Sequence, residues 1–242
     1  MKNIDLKSVI IGVAMILISG CSTEPEDVCG CGDTITDYDG NVYETVEIGD
    51  QCWMAENLKV THYRNGDAIP TGYSDSEWPN LSTGAYAVYP WDNDDASQNT
   101  CEGDCTEVYG NLYNWYAVDD TRDICPEGWH VPTDTEWTEL EDYLGGAGGK
   151  IKSTGTIENG DGLWYSPNLG ATNESGFTAL PGGYRHGNYG YYDNMGYYVY
   201  FWSSTVNTNQ YAWHWIQWYG SPHVSWHYAD KQDGFSVRCT GD

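Results

Sequence analysis

Between Tyr211 and Tyr228 the chain reads YAWHWIQWYGSPHVSWHY, and His214, His223 and His227 in it carry ring nitrogens able to ligate a metal or move a proton. A zinc site needs such nitrogens to converge with a third or fourth ligand. Imidazoles scattered among Tyr, Trp and Ser on short extended segments act more often as surface hydrogen-bonding groups, so no metal is assigned to them. The eight cysteines offer a second chemistry. No Cys-x2-Cys pair faces another, which weakens a zinc reading and favours disulfides. Cys101 and Cys105 enclose CEGDC and are expected to close a tight loop; Cys125 and Cys239 are the natural long-range pair. Cys29, Cys31 and Cys52 then share a further bridge and leave one spare thiol. WDNDD at 91–95 is a dense carboxylate cluster that could hold calcium, although it lacks the spacing and glycine of an EF-hand. No other cofactor is expected. GGAGGK resembles a phosphate loop only superficially, because Leu144 and Ile151 stand where that motif needs Gly and Ser or Thr. Neither Gly-x-Ser-x-Gly nor His-Glu-x-x-His occurs, no catalytic residue is assigned, and the sequence reads as a non-enzyme.

Binding is the chemistry that the opening stretch suits better. Successive residues of a strand face opposite sides. Trp213, Trp215 and Gln217 would share one side with Val224 and Trp226, and that side is expected to be core. The other side would carry His214, Ile216, Trp218, His223, Ser225 and His227, joined by Tyr219, Ser221 and Tyr228 around the turn. Burying three histidines and a serine without partners would cost several kcal/mol, so this side is assigned to solvent and to a ligand. Tyr and Trp give large contact area at small entropic cost, and Ser and His supply hydrogen bonds. A protein or a glycan is the expected ligand.

These side chains need strands to carry them. VYETVEI alternates apolar with polar, IGDQC turns, and WMAENLKV returns, which predicts a hairpin within residues 35–60. YGNLYNWYAV (109–118) predicts a short helix with Leu112, Trp115 and Tyr116 on one face. The clearest helix signal is PTDTEWTELEDYLGG. There Thr133 and Glu136 form a capping box, Trp137, Leu140 and Leu144 a stripe, and Gly145-Gly146 a stop. Beyond residue 160, GFTALPGGYR, YYVYFWSST, YAWHWIQW, HVSWHYA and GFSVRC are short strand candidates between turn residues. Helices in the middle and strands at both ends predict an α+β fold with two helices and mostly antiparallel strands.

The first residues, MKNIDLKSVIIGVAMILISGC, have the layout of a secretory signal peptide, with an apolar run too short to span a bilayer. LISGC resembles a bacterial lipobox, which implies cleavage after residue 20 and lipid on Cys21. Several acyl chains anchor durably, at about 0.8 kcal/mol per buried methylene. Residues 21–34 read as an acidic tether and 35–242 as one domain. Acidic residues after the lipidated cysteine resemble a signal for the outer face of the outer membrane. The expected address is therefore the bacterial outer membrane, lipid-anchored and surface-exposed. A formal charge of −26 with ten Lys and Arg excludes nucleic acid as a partner, since phosphate contacts need basic residues.

DGNVYETVEIGDQCWMAENLKVTHYRNGDAIP, YGNLYNWYAV, CPEGWHVPTDTEWTELEDYLGG, GATNESGFTALPGGYR, FWSST and GFSVRC together resemble, in this order, the Fibrobacter succinogenes major paralogous domain. That family is similar to the C-type-lectin-like fold, formylglycine-generating enzymes included. The resemblance implies a C-type-lectin-like domain with its N- and C-terminal strands paired. It implies further that 207–230 is the segment that diversity-generating retroelements rewrite in proteins of this fold, because Tyr, His, Ser, Asp and Trp codons are their products. A formylglycine-type oxidase would need a copper-binding cysteine pair, a role that Cys125 and Cys239 fill less well than that of a structural bridge. A structural envelope protein without a specific ligand is the other alternative.

Overall fold

The computed structural model describes residues 31–90, 101 and 104–242. The signal peptide, Cys21, Cys29, most of the tether and WDNDD lie outside the described residues.

From the N-terminal side, β1 (Thr34–Thr36), β2 (Val42–Ile48) and β3 (Gln51–Met54) form an antiparallel meander. In β2 Tyr43, Thr45 and Ile48 point inward, and Gly49 makes the turn at a φ of 67° that favours glycine. β4 (Tyr86–Ala87) pairs with β5 (Leu112–Tyr113), with α1 (Cys105–Tyr109) between them and α2 (Trp115–Val118) after. β6 (Trp129–His130) leads into α3 (Asp134–Leu144). The second half supplies β7 (Gly182–Arg185), β8 (Tyr192–Met195), β9 (Tyr198–Val206), β10 (Tyr211–Trp218) and β11 (Ser225–Asp230), and β12 (Thr240–Gly241) ends the chain. One sheet has the order β1-β2-β3-β12-β6 and the other β11-β10-β9-β7-β8. The C-terminal strand thus lies beside the N-terminal hairpin, with Thr240 opposite Trp53.

The α+β, C-type-lectin-like architecture expected from the sequence is overturned. Among the described residues the α-helices have 5, 4 and 11 residues, and two five-stranded sheets make up the body of a mostly β domain. Only α3 has all the signals of a helix. Thr133 and Glu136 close the capping box, Trp137, Leu140 and Leu144 are buried, and Gly145 is left-handed at the C-cap. The helix predicted over 109–118 is split. Leu112 and Tyr113 join a strand pair, and Asn114 then caps a single turn by accepting from Ala117 N. Its apolar residues are pulled apart by tertiary contacts, Leu112 to the cluster around Tyr109 and Trp115 to the main core. GFSVRC is not a regular strand either. Gly234, Phe235 and Ser236 each make one isolated bridge, to Arg185, Tyr113 and Phe201.

Two cores flank the second sheet. Phe201 and Trp215 face α3, where Trp137 stacks on Trp215 at 4.8 Å and on Phe201 at 5.5 Å. Trp202 and Phe235, 4.3 Å apart, belong to the other core together with Ala212 and the Cys125–Cys239 bridge. A sheet covered on both faces at its centre takes rings on both sides, which accounts for the near-continuous aromatic run in YVYFW. Cys31–Cys52 ties the start of the described chain to β3, and Cys101 is bonded to Cys105. Among the described residues no cysteine is free.

Candidate functional site

β10 and β11 pair in the register Trp213↔Tyr228, His214↔His227, Trp215↔Trp226 and Ile216↔Ser225. β11 is the edge strand of its sheet. Its residues Ser225, Trp226, His227 and Tyr228 are exposed on both faces, because neither core extends that far.

Side chains alternate along β10, but both of its faces are covered near His214 and neither face of β11 is, so the two predicted sides are corrected. Trp215 is 2% exposed and Gln217 is buried, as a core side requires. Trp226, directly opposite Trp215, is 48% exposed, and Trp213 is only half-buried. Trp213 meets Trp226 at 5.8 Å and Tyr228 edge-on at 6.0 Å, and Tyr211 meets Tyr228 at 5.4 Å. The end of the side assigned to the core is thus an exposed aromatic cluster. His214, assigned to solvent, is 6% exposed. It sits 4.9 Å from the Phe235 ring, and its Nδ1 has no hydrogen-bond partner. Burial, and next the neighbouring His227, push its pKa down to about 3, so the ring is neutral. Beside it the β9–β10 register shifts between Ala212 and His214, with two extra residues on β9.

The other assigned residues lie near this ribbon in different surroundings. Trp218 is 38% exposed and stacks on Tyr198 at 6.1 Å. A Cβ on Gly220 would fall 2.6 Å from the Trp218 ring, so the ring lies directly over the turn. Ile216 is half-buried between Tyr200 and Ser225. Tyr219 is half-buried against the α3 core and meets Trp218 and Tyr197 edge-on. Ser221 serves the turn: its hydroxyl accepts from His223 N at 3.0 Å and lies 3.1 Å from His223 O. His223 is exposed, with Nδ1 3.1 Å from Gly146 O.

Sequence reasoning missed what holds the turn and what lines the His214 side of the sheet. Lys152 is wholly buried and donates to Ser221 O at 3.0 Å and Trp218 O at 3.3 Å, pinning the turn from below. Burial lowers its pKa to about 8. Nothing local in GGKIKST marks that lysine as internal. The other omission was legible. In YYVYFW a period of two sets Tyr198 and Tyr200 apart from Val199 and Phe201. Tyr200 continues to Tyr184 at 5.0 Å, and Tyr184 to His186 at 5.8 Å. His186 in turn contacts the exposed Tyr189 and Tyr191, at 4.7 and 5.2 Å. A row of rings thus crosses the sheet from His227 through His214, Tyr200 and Tyr184.

The electrostatics of this surface are one-sided. Every described lysine and arginine is ion-paired (Lys59, Arg64, Arg122, Lys150, Arg185) or buried (Lys152, Lys231, Arg238). Among the described residues, Leu144, Gly148, Ile151, Trp215 and Val224 line a narrow crevice. Among the described residues no group of His, Cys, Asp and Glu converges as a metal site.

Fold and surface define a disulfide-braced, mostly β domain that displays aromatic side chains across one open sheet. More particularly, the chain belongs to the family of the Fibrobacter succinogenes major domain, whose profile matches residues 46–240. No curated protein and no solved structure matches it.

Proposed function

We propose that this chain is a bacterial outer-membrane lipoprotein, held by lipid on Cys21, that binds an extracellular protein or glycan through the ribbon β10–β11. The observation that carries the reading is the edge strand, whose Trp226 and Tyr228 are 48% and 58% exposed beside half-buried Trp213. Rings that remain in water at a sheet edge contribute little to stability and much to a contact. The oxidase alternative needs a redox-active thiol pair, and Cys125 and Cys239 are joined to each other inside the core. Diversification of 207–230 by a retroelement is a second reading of the same residues, supported by their Tyr, His, Ser, Asp and Trp content.

The test compares the wild type with the Trp226→Ala/Tyr228→Ala double variant on immobilised glycans and on purified extracellular matrix proteins. The wild type should bind at least one of them and the variant should lose it while melting at a similar temperature. Equal binding by a folded variant sinks the assignment of the ribbon. Cys21→Ala should move the protein from the membrane fraction to the soluble one; retention in membranes would sink the anchor.

A further inference from the structure

The ring row that crosses the second sheet ends at a carboxylate. Tyr184 on β7 is directly opposite Asp193 on β8, so the two side chains share a face. On the other side of Tyr184 stands Tyr200, whose hydroxyl takes a hydrogen bond from Asn194 Nδ2 at 3.1 Å. Asp193 is half-buried and accepts from Asn194 N at 2.7 Å, and among the described residues no cation pairs with it. Burial first, and then the nearby Asp193, hold the Tyr184 phenol above its ordinary range; Tyr200 is raised by burial, then by Tyr184. Both phenols therefore stay neutral, and Asp193 supplies the formal negative charge.

A half-buried carboxylate without a counter-ion, walled by electron-rich rings, lacks a positive group. Carboxylates form their strongest hydrogen bonds with cationic donors, and aromatic faces attract the same cations. The chain cannot supply that group from its described surface, where every lysine and arginine is already paired or buried. A second copy would be repelled, since each carries a formal charge of −26.

We infer that the sheet face around Tyr184, Asp193 and Tyr200 receives a basic peptide segment, with an arginine or lysine side chain placed against Asp193. The inference rests on the reading of this sheet as a ligand-binding surface and narrows the partner to a cationic protein. Neutral glycans are the competing occupant. Asp230 lies near the same path, its carboxylate held by Asn188 Nδ2 and Gln210 Nε2, both at 2.8 Å. It extends the negative field towards β11 without being neutralised.

The test titrates a fluorescein-labelled short oligo-arginine peptide into the full chain and follows anisotropy at moderate salt. Saturable binding is expected, and Asp193→Asn, which keeps shape and removes charge, should weaken it at least tenfold. Glu44→Gln, at an exposed position on β2, should change it less than twofold. Absence of saturable binding overturns the inference, as does an unchanged Asp193→Asn. Equal losses in both variants would mean attraction to bulk charge alone, and would overturn it too. The Trp226→Ala/Tyr228→Ala variant separates the two proposals. A neutral oligosaccharide whose binding needs Trp226 and ignores Asp193 would sustain the ribbon and overturn the cation site. Peptide binding that needs Asp193 and ignores Trp226 would do the reverse.

Discussion

Trp215 and Trp226 permit a sharp test of how this ribbon divides between core and surface. They are direct cross-strand partners on one face, yet they are 2% and 48% exposed. Trp215 stacks on Trp137 at 4.8 Å in the α3 core, whereas the ring neighbour of Trp226 is half-buried Trp213. Trp215→Ala removes a buried ring and leaves a cavity, which costs about 3–5 kcal/mol. A domain of this size melts about 2–4 °C lower per kcal/mol lost, so Tm should fall by roughly 6–20 °C. Trp226→Ala loses only a half-exposed aromatic contact, worth at most about 1 kcal/mol, and should shift Tm by no more than about 4 °C. The assay is thermal unfolding of the full chain by near-ultraviolet circular dichroism with the disulfides intact. Equal shifts for the two variants would refute the division, and a larger shift for Trp226→Ala would reverse it.

Three further outcomes follow from ionisable side chains. Arg238→Met should lower stability by more than about 3 kcal/mol in urea unfolding, because it strands Asn57 Oδ1 and the carbonyls of Met54, Phe177 and Thr178 inside the core; a loss under about 1 kcal/mol would show those groups to be dispensable. His130 lies 2.7 Å from Glu136 and 2.6 Å from Asp242, and the bond to Glu136, outweighing burial, raises its pKa to about 9. Burial pushes Glu136 up, but hydrogen bonds from His130 and Thr133 prevail and hold it at about 2. The His130 contribution is therefore complete below its ordinary 6.5 and fades as pH rises through about 9, and that of Glu136 is complete above 4.5 and fades as pH falls through about 2. Nuclear magnetic resonance titration should find His130 still protonated at neutral pH, and His130→Gln should flatten the alkaline limb of stability. His214, neutral in the fold with a pKa near 3 against an ordinary 6.5, contributes fully above 6.5 and progressively less as pH falls towards 3. His214→Leu should flatten that acid limb, and an imidazole that titrates near 6.5 in the folded protein would contradict its burial.

Helix α3 was legible because its signals are local. Thr133, Glu136, the Trp137–Leu140–Leu144 stripe and Gly145 all lie within about four turns of chain, where backbone capping and side-chain period act without help. The β2–β3 hairpin is of the same kind, with alternation, a glycine turn and a return. Motif order carried the family, and the family is shown by the match over 46–240. The helix at 109–118 failed because its apolar residues answer to two different cores. The α+β class failed with it, since short helical signals were weighed as much as strands whose extent depends on partners far along the chain.

The ribbon shows where local reading stops. Composition determined that residues 211–228 would be strands rich in rings, and the period of two was right within each strand. Which face meets the core is not a property of the strand. It depends on how far α3 and Phe235 reach across the sheet and on β11 being the edge. Burial of His214 beside Phe235 and exposure of Trp226 beside buried Trp215 reverse the ordinary preferences of those residues. Lys152, with carbonyls in place of a counter-ion, gave no sequence signal at all. Chain-local chemistry set the helix, the hairpin and the ring content. The tertiary structure alone decided which rings stabilise the fold and which face water, because burial is decided by what other parts of the chain bring to each face.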